Sequence, residues 1–92
     1  MNFQVIFSDE LKKKLTILKR KDKTIYSTVK KKITQISSSD EQSIQHFKNL
    51  RRPMNEFKRV HIGSYVLIFK IKDNTIMFEE FEHHDKVYKK GY

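Results

Sequence analysis

The chain contains no cysteine, which excludes a disulfide framework and a thiolate metal site and makes an intracellular setting the simpler expectation. Metal chemistry would fall to histidine and carboxylate alone. No apolar run approaches the roughly 20 residues of a membrane-spanning helix, and the N-terminus has neither the basic nor the apolar region of a secretory signal. A soluble, cytoplasmic protein is expected. Repeats, linkers and low-complexity segments are also missing, so the 92 residues are expected to form a single domain, 1–92, around one modest core.

What the chain has in excess is positive charge. Twenty Lys and Arg stand against eleven Asp and Glu, a formal +9, which points to a polyanionic partner, nucleic acid foremost. Nine lysines, Lys12, Lys13, Lys14, Lys19, Lys21, Lys23, Lys30, Lys31 and Lys32, crowd two short segments. They read either as solvated helical faces or as cations that track phosphates.

In chain order, residues 1–7 alternate with Phe3, Val5 and Phe7 on one face and predict a first strand at a sheet edge or beside the last hairpin. Ser8 suits an N-cap, Asp9 and Glu10 a first helical turn, and Leu11, Leu15 and Leu18 a buried stripe running to about Lys21. A second stripe, Tyr26, Val29, Ile33 and Ile36, predicts an antiparallel helix partner with Thr24 as its cap and Ser37, Ser38 and Ser39 as its stop. Residues 40–52 form a polar connection holding Ile44, Phe47 and Leu50, with room for a helical turn, that could lie across the sheet edge before Pro53. Beyond the last strand, residues 85–90 suit a short terminal turn.

The final third predicts a three-stranded meander. Gly63-Ser64 suits a type II′ turn and Asp73-Asn74 a type I′ turn. The first turn pairs Ile62 with Tyr65, His61 with Val66, Val60 with Leu67 and Arg59 with Ile68. Val60, Ile62, Tyr65, Leu67, Phe69 and Ile71 then share the core face, while Phe57, Arg59, His61, Val66, Ile68 and Lys70 share a mixed face open to chemistry. The same register sends Glu80 to the core face opposite Leu67 unless a bulge or an early strand end intervenes. His83 and His84, adjacent on a strand, would point to opposite faces, so no metal pair is expected. The fold class is α+β: an antiparallel sheet, made of the N-terminal strand and the C-terminal meander, packed on an antiparallel helix pair.

This order of elements, with Arg59 and His61 at alternate positions before Gly63 and His84 four residues before Tyr88, resembles the RelE/ParE superfamily of toxins. The resemblance extends over essentially the whole chain, although the helices match only in pattern. Many RelE-like toxins carry an arginine where this chain has Val66; the YafQ-like branch lacks that arginine, and its histidine before the turn and apolar run after it are similar to His61 and residues 65–69. His46 and Lys48 both fall where that branch has a further histidine, and neither is assigned as catalytic.

The resemblance implies a type II toxin that cuts messenger RNA in the ribosomal A site by attack of a ribose 2′-hydroxyl on the adjacent phosphate, with no metal and no cofactor. It implies His61 or Tyr88 as base, His84 as acid or phosphate donor, and Arg59 as the cation on the developing charge. Lys48, Arg51, Arg52, Lys58 and Lys86 flank these residues and are expected RNA contacts. The partners implied are a cognate antitoxin, in a toxin–antitoxin hetero-oligomer, and the ribosome with its message. Two other readings stay open: a ParE-like protein that binds DNA gyrase, and a basic RNA-binding domain or attenuated toxin, for which Val66 speaks. Each residue also has a plainer reading. Arg59 and His61 can be outward residues of a half-exposed strand, Tyr88 can anchor the terminus by its ring, and Asp85 can cap the terminal turn.

Overall fold

A computed structural model describes residues 3–45, 47–49 and 56–89. The first strand, β1 (Gln4–Phe7), hands over to helix α1 (Asp9–Lys21) at Ser8. The Ser8 hydroxyl accepts from the Leu11 N–H at 3.1 Å and donates to the Glu79 carbonyl at 2.6 Å, so one side chain both caps the helix and ties it to the last strand. Asp9 and Glu10 occupy the first turn and Lys19, Arg20 and Lys21 the last, each charge at the favourable end of the helix dipole.

Helix α2 (Lys23–Ser37) begins one residue later. Its cap is Asp22 rather than Thr24: the carboxylate accepts from the Ile25 N–H at 3.1 Å, while the Asp22 N–H closes α1 on the Leu18 carbonyl at 2.8 Å. One residue serves both helices, leaving Thr24 inside the first turn. The stop comes at the expected serines, where the Ser38 and Ser39 hydroxyls donate back to the Thr34 and Gln35 carbonyls. Ile25, Val29, Ile33 and Ile36 face the core. Tyr26, expected in that stripe, instead lies half-buried beneath the Lys30 ammonium, 5.6 Å from its ring centroid.

Asp40 caps a single turn, α3 (Glu41–Ile44), through the Ser43 N–H. This hydrogen bond holds the Asp40 carboxyl below the usual carboxylate range. The connection then supplies β2 (Lys48–Asn49), a short edge strand. Strands β3 (Phe57–Ile62), β4 (Tyr65–Lys72) and β5 (Thr75–His83) form the meander, and helix α4 (His84–Lys89) follows. The sheet runs β1-β5-β4-β3-β2. Its meander is antiparallel as expected, but β1 joins β5 in parallel, which the long connection between the two strands permits.

Asp73 and Asn74 both take positive φ, 51° and 60°, as a type I′ turn requires; at the other turn only Gly63 does, at 61°, as in type II′. The β3–β4 register is the one the first turn predicts. The β4–β5 ladder slips between Ile68 and Phe69, so Phe69 faces Phe78 while Ile68 faces Glu80. That bulge takes Glu80 off the core face and returns Phe81 to it.

The sheet therefore buries side chains on both faces. On one, Leu11, Val29, Ile36, Ile44, Ile62, Leu67, Phe69, Ile76, Phe78 and Phe81 make the main core beneath α1 and α2. On the other, Phe57, Val66, Ile68 and Val87 make a second cluster, Val87 arriving on α4.

Candidate functional site

The second face is where the chemistry-bearing residues gather. Strand pairing lays out two rows across it: Lys48, Arg59, Ile68, Glu80, and next to it His61, Val66, Glu82. Arg59 and His61, two residues apart on β3, stand on one face about 6.5 Å apart along the strand. Arg59 is half-buried and His61 exposed. At the bottom of the face Lys70 lies 5.2 Å from the Phe57 ring centroid and 3.9 Å from Glu79.

Lys14 on α1 brings a cation to the β5 end of both rows. Its ammonium pairs with Glu80 at 2.9 Å and also with Glu82, along the edge of β5 that β1 leaves unpaired. Burial disfavours the charged lysine, but hydrogen bonds and Coulomb attraction from Glu82 and Glu80 outweigh it, and the Lys14 pKa is raised. For Glu82, burial is likewise opposed, by Lys14, by the His83 N–H and by the charge of Lys86, and its carboxyl titrates lower than usual. Sequence reasoning missed this triad. Glu80 and Glu82 share a face by strand alternation alone, but which face becomes legible only with the bulge that turns both away from the main core.

His84 sits at the junction of β5 and α4, held to the β3–β4 turn twice. Its N–H donates to the Ser64 carbonyl at 3.0 Å, and its ring Nδ1 lies 3.3 Å from the same oxygen. Its Nε2 is 3.2 Å from Asp85 Oδ1. The expectation that His83 and His84 point apart is corrected here: strand alternation ends at His83, His84 opens a helix, and the two ring centroids lie 4.7 Å apart. His83, not Asp85, acts as the helix cap, its Nδ1 accepting from the Asp85 N–H at 3.3 Å.

Of the expected RNA contacts, Lys86 is exposed on α4. Lys58 is not available in that way. It points to the helix-covered face, is buried, and donates from Nζ to the Phe47 carbonyl at 3.3 Å, and burial lowers its pKa. One residue from Arg59 on a strand, it necessarily faces the other side. Lys48 pairs with Arg59 through β2, and Tyr88 lies in α4; the side chains of both, and all of His46, Arg51 and Arg52, fall outside the described residues. Val66 is fully buried under α4 in the second cluster, which accounts for an apolar residue at this position.

No protein-family model matches the chain. A Methanocaldococcus jannaschii protein named "Putative toxin RelE4" is 41% identical over 91 residues, 96% of this chain and 93% of the relative. A Methanosarcina mazei protein is 35% identical over 82 residues, 86% and 91% of the two chains. The fold superposes on the RelB–RelE antitoxin–toxin complex from Methanococcus jannaschii with TM-score 0.68 at 19% identity, covering 95% of this chain and 99% of that one. It superposes on YafQ from E. coli with TM-score 0.64 at 12% identity, covering 94% and 98%. With near-complete coverage of a 41%-identical relative and this agreement in fold, the chain belongs to the RelE family of toxins.

Proposed function

We propose that this protein is the toxin of a type II toxin–antitoxin system and acts as a ribosome-dependent endoribonuclease that cuts messenger RNA in the A site. The observation that carries the reading is the pairing of Arg59 and His61 on one accessible face of β3, with His84 fixed to the turn at the His61 end of the same hairpin. In-line attack of the 2′-hydroxyl needs a base for its proton, a cation near the phosphorane oxygens and an acid for the leaving 5′-oxygen. Each proton transfer contributes about 10²–10⁴-fold.

His61, or Tyr88 from α4, takes the 2′-proton; Arg59 stabilises the charge on the phosphorane; His84 protonates the leaving oxygen or donates to the phosphate. Water, metal and cofactor have no part in the strand-scission step. A cognate antitoxin restrains the activity by covering the basic surface.

Cleavage of a defined message on programmed ribosomes, with a ribosome-free control, tests this. A-site cuts that fall at least 100-fold with His84→Ala support it. Cuts undiminished in both His84→Ala and Tyr88→Phe would sink the scheme, and no cutting by the unaltered protein would favour a gyrase-directed or purely RNA-binding role.

A further inference from the structure

We propose that His83, His84 and Asp85 form a binding site for a divalent transition-metal ion of the zinc type. One ligand atom from each lies within 4.8 Å of the others. His84 Nε2 to Asp85 Oδ1 is 3.2 Å and His83 Nδ1 to Asp85 Oδ2 is 3.8 Å. Donors around a tetrahedral zinc with bonds of about 2.0–2.1 Å stand about 3.3 Å from one another. Each histidine nitrogen therefore stands within about half an ångström of that spacing from one of the two Asp85 oxygens, and small rotations of the rings and the carboxylate bring one donor from each residue around a single ion.

Contacts to the backbone hold both rings beside the Asp85 carboxylate. Ser64 O, 3.3 Å from His84 Nδ1, favours a proton on that nitrogen, and Nε2, which faces Asp85 Oδ1 at 3.2 Å, is the nitrogen that gives up its proton when an ion enters, the arrangement in which histidines bind metals. His83 Nδ1 accepts from the Asp85 N–H, so it is unprotonated on the cluster side. The ion would compete with that N–H for one lone pair, and the surrounding cationic chain disfavours it. Both effects hold the affinity to the range of a reversible ligand. Three protein donors leave a fourth position for water or for a phosphate oxygen. The juxtaposition exists because the strand ends between the two histidines.

Binding itself is independent of the nuclease reading. Its consequence rests on that reading: the ion occupies the His84 nitrogen that would serve the leaving group, so zinc inhibits. The test is calorimetric titration of the full chain with Zn²⁺ at neutral pH. Binding of one ion is expected, weakened at least tenfold by His83→Asn and by Asp85→Asn and kept in His46→Ala and His61→Ala. Asparagine at position 83 still supplies an acceptor for the helix cap, so lost binding would not simply report a lost fold. No binding below millimolar Zn²⁺, less than tenfold weakening in either cluster variant, or loss in His46→Ala or His61→Ala overturns the site. Zinc added to the cleavage assay then asks about consequence. Inhibition that vanishes in His83→Asn supports it, while bound zinc with undiminished cutting shows that the ion sits there without engaging catalysis.

Discussion

Val66 and Lys14 show how single residues set the character of the second face. Val66 is fully buried against Phe57, Ile68 and Val87, so Val66→Arg would force a cation into an apolar seam. We expect it to lower stability by about 2–4 kcal/mol and not to raise cleavage, measured as a shift of the urea midpoint beside the ribosome assay. Unchanged stability with faster cutting would mean that an arginine there reaches the phosphate after all. Lys14 makes the opposite kind of contribution, neutralising two carboxylates of which Glu80 is only 2% exposed. Lys14→Met should cost about 2–3 kcal/mol at pH 7, below the usual figure for a severed buried pair because the lysine keeps some solvent contact. The sign with pH follows from Glu82. Its folded pKa is lowered, so its share of stability is complete above the ordinary carboxylate range and disappears as pH falls through the folded value. The raised Lys14 pKa expresses the same contact, held below the ordinary lysine range and lost only as strong alkali deprotonates the folded-state ammonium. The wild-type and Lys14→Met urea midpoints should thus converge as pH falls from 7 through the lowered Glu82 pKa; a gap that persists once acid has protonated the carboxylates would assign the loss to packing by the lysine stem.

Among the elements, α4 is the one that most alters how the sequence should be read. It folds back so that Val87 completes the second cluster, and it carries Tyr88 and Lys86 with it. Val87→Ala should cost about 1–3 kcal/mol and loosen α4 first, since the cluster holding it is small. Hydrogen exchange at the α4 amides should rise well ahead of exchange in β4; equal acceleration in both would show that the helix and sheet open as one unit. The stripe of α1, the cap at Ser8, both hairpin turns and the β3–β4 register could be read from the chain, because each depends on residues a few positions apart. Glu80 was legible as a conflict, and the conflict marked the bulge. What could not be read depends on distant partners. The parallel docking of β1, the ion triad from Lys14 and the burial of Lys58 follow from how elements meet. For His83 and His84, one residue's difference in where the strand stops reverses the predicted geometry.

At the scale of the molecule, the sheet separates two basic surfaces. Lys12, Lys13, Lys19, Lys21, Lys23, Lys30 and Lys31 are exposed on the helices, which cover the main core, whereas Arg59, His61 and Lys86 belong to the opposite side with α4. With a net charge of +9, attraction to a ribosome or message should fall steeply with salt, each phosphate contact contributing a slope of about 0.7–0.9 in log–log form. If the helical lysines steer and the second face reacts, the two functions separate by mutation. Lys30→Glu with Lys31→Glu should weaken association and flatten the salt dependence by up to about two phosphate contacts, while single-turnover cleavage at saturating ribosome concentration stays within a few-fold of wild type. Arg59→Ala should do the reverse, leaving most of the affinity and reducing saturated cleavage by about 10²-fold or more. Loss of saturated cleavage in the helical double variant would place those lysines against the reacting strand, and the sheet would then no longer divide steering from chemistry.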